Sequence, residues 1–236
     1  MTHFHFYIDT EELLPGAFVT LEGPEFHHAR DVLRIEPGES VTLINGRGLI
    51  ASGVVEAFER RLCRIRVLSS ERTAPLPPVC LGLSLLRPNH LDIAIEKGTE
   101  VGVDLFVLFQ AERSERRPIS PSLTRRLEAL LTAATKQSGR LFRPQLRFAS
   151  SLAEALSLLP APILWADLSS DASPILSRLT TLQQPPSILI GPESGWSENE
   201  RAVLSAYGPP VLLHETVLRA ETAAIIGAYL VAHSCP

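Results

Sequence analysis

The sequence is poor in the features that build zinc sites, disulfide frameworks and membrane spans. Its three cysteines, Cys63, Cys80 and Cys235, lie far apart in 236 residues and form no CxxC pair, so neither a metal site nor a disulfide framework is predicted. The longest late apolar run, from Ala223 to Ala232, is too short to span a bilayer, and the first residues lack the basic flank of a signal peptide. These absences predict a cytoplasmic protein with reduced thiols.

Lysine is also scarce, because Lys97 and Lys136 are the only two in the chain. Arginine therefore supplies nearly all of the positive charge, and its planar guanidinium suits phosphate and stacks on bases. Residues 113–147 contain nine basic and two acidic residues, which gives this segment a charge of +7. Because the net charge of the whole chain is −4, the remaining residues have a charge of −11. A basic segment in an acidic chain favours a phosphate-bearing partner. The alternative is a solvated helix face in an arginine-rich protein.

The first part of the chain has the pattern of a small β-barrel. Short apolar or alternating segments separated by turn residues predict strands over 17–22, 40–45, 49–58 and 62–68. In the last of these, Arg64 and Arg66 alternate with apolar residues and are expected on the outer face. Residues 71–78 are polar and rich in proline, which predicts a linker after a barrel domain of residues 1–70.

Residues 79–236 show apolar strands alternating with capped helices, a pattern typical of a mostly parallel α/β sheet. Strands are predicted over 79–86, 104–109, 162–166, 187–190 and 210–213. Ser151 with Glu154, and Ser197 with Glu200, have the spacing of capping boxes that begin helices.

Two loops that follow predicted strands are the best candidates for a ligand site, because open α/β sheets bind ligands beyond the carboxyl ends of their strands. The first contains Gly191, Pro192 and Gly195, with neither a P-loop nor the dinucleotide spacing, so a nucleoside without phosphates fits best. The second places Arg219 and Glu221 at a helix start. The plainer alternatives are an empty strand-to-helix turn and a capping role for Glu221. Arg219 opposes the helix dipole, which predicts that an anion or Glu193 holds it.

Together these loops resemble a known family. Gly191-Pro192-Glu193 with Gly195, and Leu218-Arg219 with Glu221-Thr222-Ala223, are similar to the signature motifs of the bacterial 16S ribosomal RNA uridine-N3 methyltransferases, the RsmE family of the SPOUT class. Further matches occur in the same order along nearly the whole chain: His28 with Val32-Leu33-Arg34, Pro37-Gly38, Asn45-Gly46, Lys97 to Val103, Glu112-Arg113, and Gln137 to Arg140 with Pro144.

The resemblance implies a PUA-like barrel that binds RNA, followed by an α/β domain with a deep trefoil knot that binds S-adenosylmethionine. It also implies a homodimer, and the small residues of the final helix are one surface that a second helix could approach closely: Ala220, Ala223, Ala224, Gly227 and Ala228. Packing of that helix on its own sheet is the alternative. The implied reaction is methyl transfer from S-adenosylmethionine to N3 of a uridine in 16S ribosomal RNA, without a metal.

The resemblance also gives candidate site residues. Catalysis is expected from Arg219, with Glu221 or Glu193 as proton acceptor. Cofactor contacts are expected from Leu164, Trp165, Ala166, Gly191, Pro192, Gly195, Leu213, Val217 and Leu218. RNA contacts are expected from Arg34, Arg64, Arg66, Arg113, Arg116, Arg140 and Arg143. The chain departs from the family pattern at His5, Lys136, Ser194, His214, Thr216 and Ala220.

Two other functions stay open at this point. The chain could methylate another RNA position, such as a ribose 2′-hydroxyl. It could also be a non-catalytic RNA-binding or ribosome-assembly protein that kept the fold, and cofactor binding distinguishes these possibilities.

Overall fold

A computed structural model of the chain describes residues 4–114 and 119–234. The described residues divide into two compact units. The first contains residues 4–75 together with residues 135–143, and the second contains the remaining described residues. Part of the basic segment identified above therefore belongs to the first unit.

The first unit is built on a mixed sheet of five strands. Its elements are β1 (His5–Tyr7), β2 (Phe18–Glu22), α1 (Gly23–His27), a π-helical turn (His28–Val32), β3 (Ser40–Ile44), β4 (Leu49–Phe58) and β5 (Leu62–Arg72). The strand order is β1-β3-β4-β5-β2. The β1–β3 pair is parallel and the other pairs are antiparallel. The four strands predicted here are confirmed, whereas β1 is too short to show a pattern.

Strand β5 shows how alternation places the arginines. Cys63, Ile65 and Val67 are buried in the core of the first unit. Arg64 and Arg66, which alternate with them, are exposed as predicted.

The second unit contains a parallel sheet with the strand order β8-β7-β6-β11-β9. Its strands are β6 (Cys80–Ser84), β7 (Leu105–Phe109), β8 (Gln145–Ala149), β9 (Ile163–Trp165) and β11 (Ser187–Ile190). A separate parallel pair is formed by β10 (Ser173–Pro174) and β12 (Val211–Leu212). The helices are α2 (Pro88–Glu100), α3 (Pro121–Ser138), α4 (Leu152–Leu158), α5 (Ile175–Leu179), α6 (Glu198–Leu204), a 3₁₀ turn (Ser205–Tyr207) and α7 (Ala220–Ala232). The end of α3, from residue 135 onward, belongs to the first unit. The α/β class with a parallel sheet is confirmed.

Two details of the predicted sheet are wrong. The strand predicted over 210–213 is present as the short β12, but it pairs with β10 and reaches the main sheet through one parallel bridge between Val211 and Ala166. The main sheet instead has β8 at one edge, and this strand escaped prediction because its alternate residues Gln145 and Arg147 are exposed and polar. Edge strands of this kind lack the continuous apolar run that marks a buried parallel strand.

The small residues of α7 pack inside their own unit. Ala220, Ala224, Gly227 and Ala228 are buried, and α7 packs on α2 and β11. A Cβ atom on Gly227 would lie 3.1 Å from Cγ1 of Ile188. The prediction that these residues admit a helix of a second subunit is therefore wrong for these four, because the chain's own sheet and helix α2 cover them. No helix in the described segments is long and apolar enough to cross a membrane.

Candidate active site

The site is a cavity of about 600 Å³ in the second unit, where several loops meet beyond the carboxyl ends of β9, β11 and β12. Its walls contain the three residues predicted as catalytic, Arg219, Glu221 and Glu193. They also contain seven of the predicted cofactor contacts: Ala166, Gly191, Pro192, Gly195, Leu213, Val217 and Leu218. The two loops selected from sequence thus lie around one cavity.

The other two predicted cofactor contacts, Leu164 and Trp165, do not line the cavity. Both are buried in β9, which pairs with β11. The Trp165 indole donates a hydrogen bond to the carbonyl oxygen of Gly208. These side chains hold the sheet that carries the loops.

The loop after β11 is fixed by a buried tryptophan. Trp196 stacks on Phe109, with the ring planes 5° apart, and its indole nitrogen donates to the carbonyl oxygen of Ala166. A Cβ atom on Gly191 would lie 2.8 Å from this indole, so only glycine allows the close approach. Gly195 has a φ of +72° and open space where a Cβ would stand. The loop therefore presents bare backbone to a ligand.

Helix α6 begins directly after this loop with the predicted capping box, in which Ser197 and Glu200 bond each other's backbone amides. In α4 the predicted box is only half present. Ser151 caps the helix, but the Glu154 carboxylate accepts from the amide and hydroxyl of Ser150. These hydrogen bonds lower the pKa of Glu154.

One wall of the cavity carries an ion pair that no sequence pattern predicted. Arg201 of α6 donates to both oxygens of Asp167, at 2.8 and 3.2 Å. This hydrogen bonding raises the pKa of Arg201 above its ordinary value. The pair fixes the start of the segment after β9.

A second missed residue, His90, lies between two of the predicted catalytic carboxylates. Its Nδ1 atom is 3.5 Å from Oε1 of Glu193 and 3.6 Å from Oε2 of Glu221. The backbone amide of Arg87 donates to the same Glu193 oxygen at 3.4 Å. His90 is the third residue of α2, the helix that follows β6. A polar side chain just past a buried strand was the sequence signal for it.

Arg219 is not held by Glu193, one of its two predicted partners. It is the exposed N-cap residue of α7, and within the described part of the chain no ion-pair partner is observed for it. Glu193, the expected partner, faces His90 instead. The guanidinium group is thus available to an anionic ligand in the cavity.

Three departures from the family pattern have visible local contacts. His214 and Thr216 bond each other in the loop before α7, with 2.9 Å between Nδ1 and Oγ1. The Ser194 hydroxyl donates to the carbonyl oxygen of Arg113. These contacts hold both loops without closing the cavity.

The predicted RNA-binding arginines lie mainly on exposed surface in each unit. In the first unit Arg34, Arg64 and Arg66 are exposed, and Arg64 stacks over the Phe18 ring at 5.3 Å. Arg66 is paired with Glu56. Arg140 and Arg143 are half-buried in the same unit.

Three further residues of the basic segment differ in their surroundings. Arg113, in the second unit, is exposed, whereas Arg116 lies outside the described residues. Lys136 is paired with Glu25, so an acid from beyond the segment neutralises part of its charge.

Comparison with known proteins agrees with this arrangement. The RNA methyltransferase PUA domain family matches residues 21–68, and the RNA methyltransferase domain family matches residues 72–232. Ribosomal RNA small subunit methyltransferase E of Mycobacterium bovis is 34% identical over 94% of this chain and 88% of its own length. The enzyme of that name from Synechocystis is 27% identical over 90% of this chain and 72% of its own length.

Solved structures give the same picture. Ribosomal RNA small subunit methyltransferase E of Neisseria gonorrhoeae, bound to S-adenosyl methionine, is 26% identical with a TM-score of 0.80 over 97% of both chains. A methyltransferase from Legionella pneumophila shares the fold with a TM-score of 0.83, over 98% of this chain and 97% of its own. The resemblance seen in the sequence motifs is confirmed, and the chain belongs to the RNA methyltransferase family.

Proposed function

We propose that this protein transfers the methyl group of S-adenosylmethionine to N3 of a uridine in 16S ribosomal RNA. The observation that carries the proposal is the single cavity in which Arg219, Glu193 and Glu221 meet the backbone of the Gly191–Gly195 loop. The related N. gonorrhoeae enzyme, named as a small-subunit ribosomal RNA methyltransferase, binds S-adenosyl methionine.

The cavity suits this cofactor. Gly195 leaves open space beside its backbone, and the walls combine apolar side chains such as Leu213 with the carboxylates of Glu193 and Glu221. A site of this mixed character suits a ligand with an apolar body and charged ends. When bound, the cofactor supplies a methyl group on a sulfonium, which is already an electrophile, so the reaction needs no metal.

The protein's part is then to position the uridine and to remove one proton. N3 of uridine is weakly acidic and becomes nucleophilic when its proton leaves. Arg219 stabilises the negative charge that spreads to O2 and O4, because it is exposed at the cavity and unpaired by Glu193. Glu221 and Glu193 take part in removing the N3 proton.

RNA binding is assigned to arginines of both units. A base must leave its stack to enter the cavity, so the substrate is single-stranded or splayed RNA. Arg34, Arg64, Arg66, Arg140 and Arg143 of the first unit serve this role. Arg113 and Arg116 serve it in the second part of the chain. The same proposal includes three further points: domain limits of residues 1–70 and 79–236, a trefoil knot, and a location in the cytoplasm.

The protein acts as a homodimer in this proposal. The buried small residues of α7 do not form its interface, so the contact uses other surfaces of the chain. Sedimentation equilibrium tests this part. A monomer mass independent of concentration contradicts it.

The test of the function is a methyl-transfer reaction with labelled S-adenosylmethionine. Deproteinised 16S ribosomal RNA and assembled small subunits are offered as alternative substrates, and the RNA is digested to nucleosides. Label in 3-methyluridine supports the proposal. Label on a ribose favours the 2′-hydroxyl alternative, and cofactor binding that fails at millimolar concentration favours a non-catalytic RNA-binding protein.

A further inference from the structure

We propose that His90 accepts the N3 proton of the target uridine, and that Glu221 positions its ring for this step. The inference rests on the proposed function and names the base that the function requires.

The position of His90 follows from the sheet. Strand β6 lies between β7 and β11, and the loop after it leads into α2, whose third residue is His90. The side chain therefore lies beyond the carboxyl end of the central strand of the sheet, where it lines the cavity. It is half-buried, with 30% of its side-chain surface exposed.

The buried edge of the ring faces two carboxylates. Nδ1 lies 3.5 Å from Glu193 and 3.6 Å from Glu221, and it is buried without a hydrogen bond. Oε2 of Glu221 is also buried without a hydrogen bond. A buried polar atom without a hydrogen bond costs free energy, so these two atoms gain stability if they pair. Distances of this size often shorten when a substrate binds.

This arrangement selects one tautomer of the imidazole. A carboxylate accepts only, so Nδ1 carries the proton and points at Glu221, and Nε2 keeps its lone pair. Glu221 is in turn stabilised as an anion by its place in the first turn of α7. The more exposed remainder of the ring is thus the part that can take up a proton.

The reaction balances with His90 as acceptor. The N3–H bond of uridine breaks and its proton forms a bond to Nε2, while the N3 electron pair forms a bond to the methyl carbon. The carbon–sulfur bond breaks and its electron pair stays on sulfur, which yields S-adenosylhomocysteine. The imidazolium is stabilised by Glu221 and Glu193 and then passes its proton to water.

The two carboxylates beside the ring are both constrained by their surroundings. Glu221 has only 8% of its side-chain surface exposed, and Glu193 is tied to the Arg87 amide. The other charged or titratable groups around the cavity are Arg219, Asp167, Arg201 and His214. Asp167 and Arg201 bond each other, and His214 bonds Thr216, which leaves His90 as the base with a polarising carboxylate.

The first test compares His90→Gln with wild type and with His27→Gln, a control on α1 of the other unit. Glutamine can still donate to Glu221 but cannot take up the proton. At saturating RNA and cofactor, His90→Gln should slow single-turnover methylation by about 100-fold or more, with cofactor affinity unchanged in calorimetry. A wild-type rate, or a loss of cofactor binding, overturns the inference.

The pH profile gives a readout that a packing role would not move. The wild-type rate should rise by about tenfold per pH unit and then level off, whereas the His90→Gln rate should rise without that plateau. A slow variant with the wild-type profile overturns the role of His90.

A third readout does not depend on activity. Nitrogen-15 NMR of the histidine rings should show His90 as the Nδ1–H tautomer, and Glu221→Gln should weaken that preference. The Nε2–H tautomer in wild type overturns the inference. Wild-type label in 3-methyluridine with an unimpaired His90→Gln variant contradicts the inference alone, whereas wild-type methylation of a different RNA atom contradicts the proposed function as well.

Discussion

The indole nitrogen of Trp196 donates a hydrogen bond to the carbonyl oxygen of Ala166 at 2.8 Å. This bond joins the loop after β11 to the end of β9, and both segments line the cavity. Because Trp196 is buried and stacks on Phe109, it holds the two loops in place before a ligand arrives. Such preorganisation contributes to affinity by lowering the cost of ordering the loops on binding.

Replacement of this tryptophan should weaken cofactor binding. Trp196→Phe keeps an aromatic ring against Phe109 but loses the bond to Ala166, which costs about 1 kcal/mol, or about fivefold in cofactor affinity. Trp165→Phe is the matched control, because its indole bonds Gly208 outside the cavity. Calorimetry with S-adenosylmethionine measures both. Equal affinities for the two variants would show that the loop needs no such tie.

A side chain at Gly195 should block the cofactor. Gly195→Val introduces a branched side chain into open cavity space and strains a backbone with a φ of +72°. Gly208→Val is the control, since Gly208 also has a positive φ but lies outside this cavity. Both variants should lose thermal stability, and only Gly195→Val should abolish cofactor binding. Retention of wild-type affinity by Gly195→Val would move the cofactor elsewhere.

Arg219 should serve turnover rather than binding. Arg219→Ala should lower the methylation rate at saturating RNA and cofactor by about 100-fold or more, in the range seen when one stabilising donor is removed. RNA affinity should change little. A full rate for this variant would contradict the placement of the active site.

The basic segment should serve RNA affinity. Each phosphate contact contributes about 0.7 to the slope of log affinity against log salt for single strands, so Arg140→Ala with Arg143→Ala should flatten that slope. Cofactor binding should stay the same, because the two residues belong to the first unit. Since both side chains are half-buried, circular dichroism must first show that the variant folds. An unchanged salt slope would assign these arginines to folding alone.

The two described cysteines should be unreactive in the folded protein. Burial raises the pKa of Cys63 and of Cys80 to about 11, so at pH 8 only about one thiol in a thousand is ionised. In a Cys235→Ser variant, a thiol reagent should react slowly in buffer and fast in urea. Fast reaction in buffer would show that these parts of the core open readily.

The sequence predicts elements best where one physical pattern dominates. Alternation along β5 places Arg64 and Arg66 outside, and the capping box of Ser197 and Glu200 marks the start of α6. The glycines around Glu193 predict a loop at a ligand site, and in the structure this loop lines the cavity.

Failures occur where the outcome depends on a partner distant in the chain. The small residues of α7 suit a neighbour of any kind, and the structure shows that β11 and α2 occupy that place. Lys136 is neutralised by Glu25, which no local pattern connects to it. His90 acquires its neighbours Glu193 and Glu221 only when three separate segments meet.

Methylation of uridine N3 in 16S ribosomal RNA can be measured in cells that carry or lack this gene. Small-subunit RNA from both is cut into defined fragments, and the mass of each nucleoside is measured. We expect one 3-methyluridine that disappears when the gene is lost. It should return with the wild-type gene but not with Arg219→Ala. An unchanged 3-methyluridine content, or the loss of a ribose methyl group instead, would contradict it.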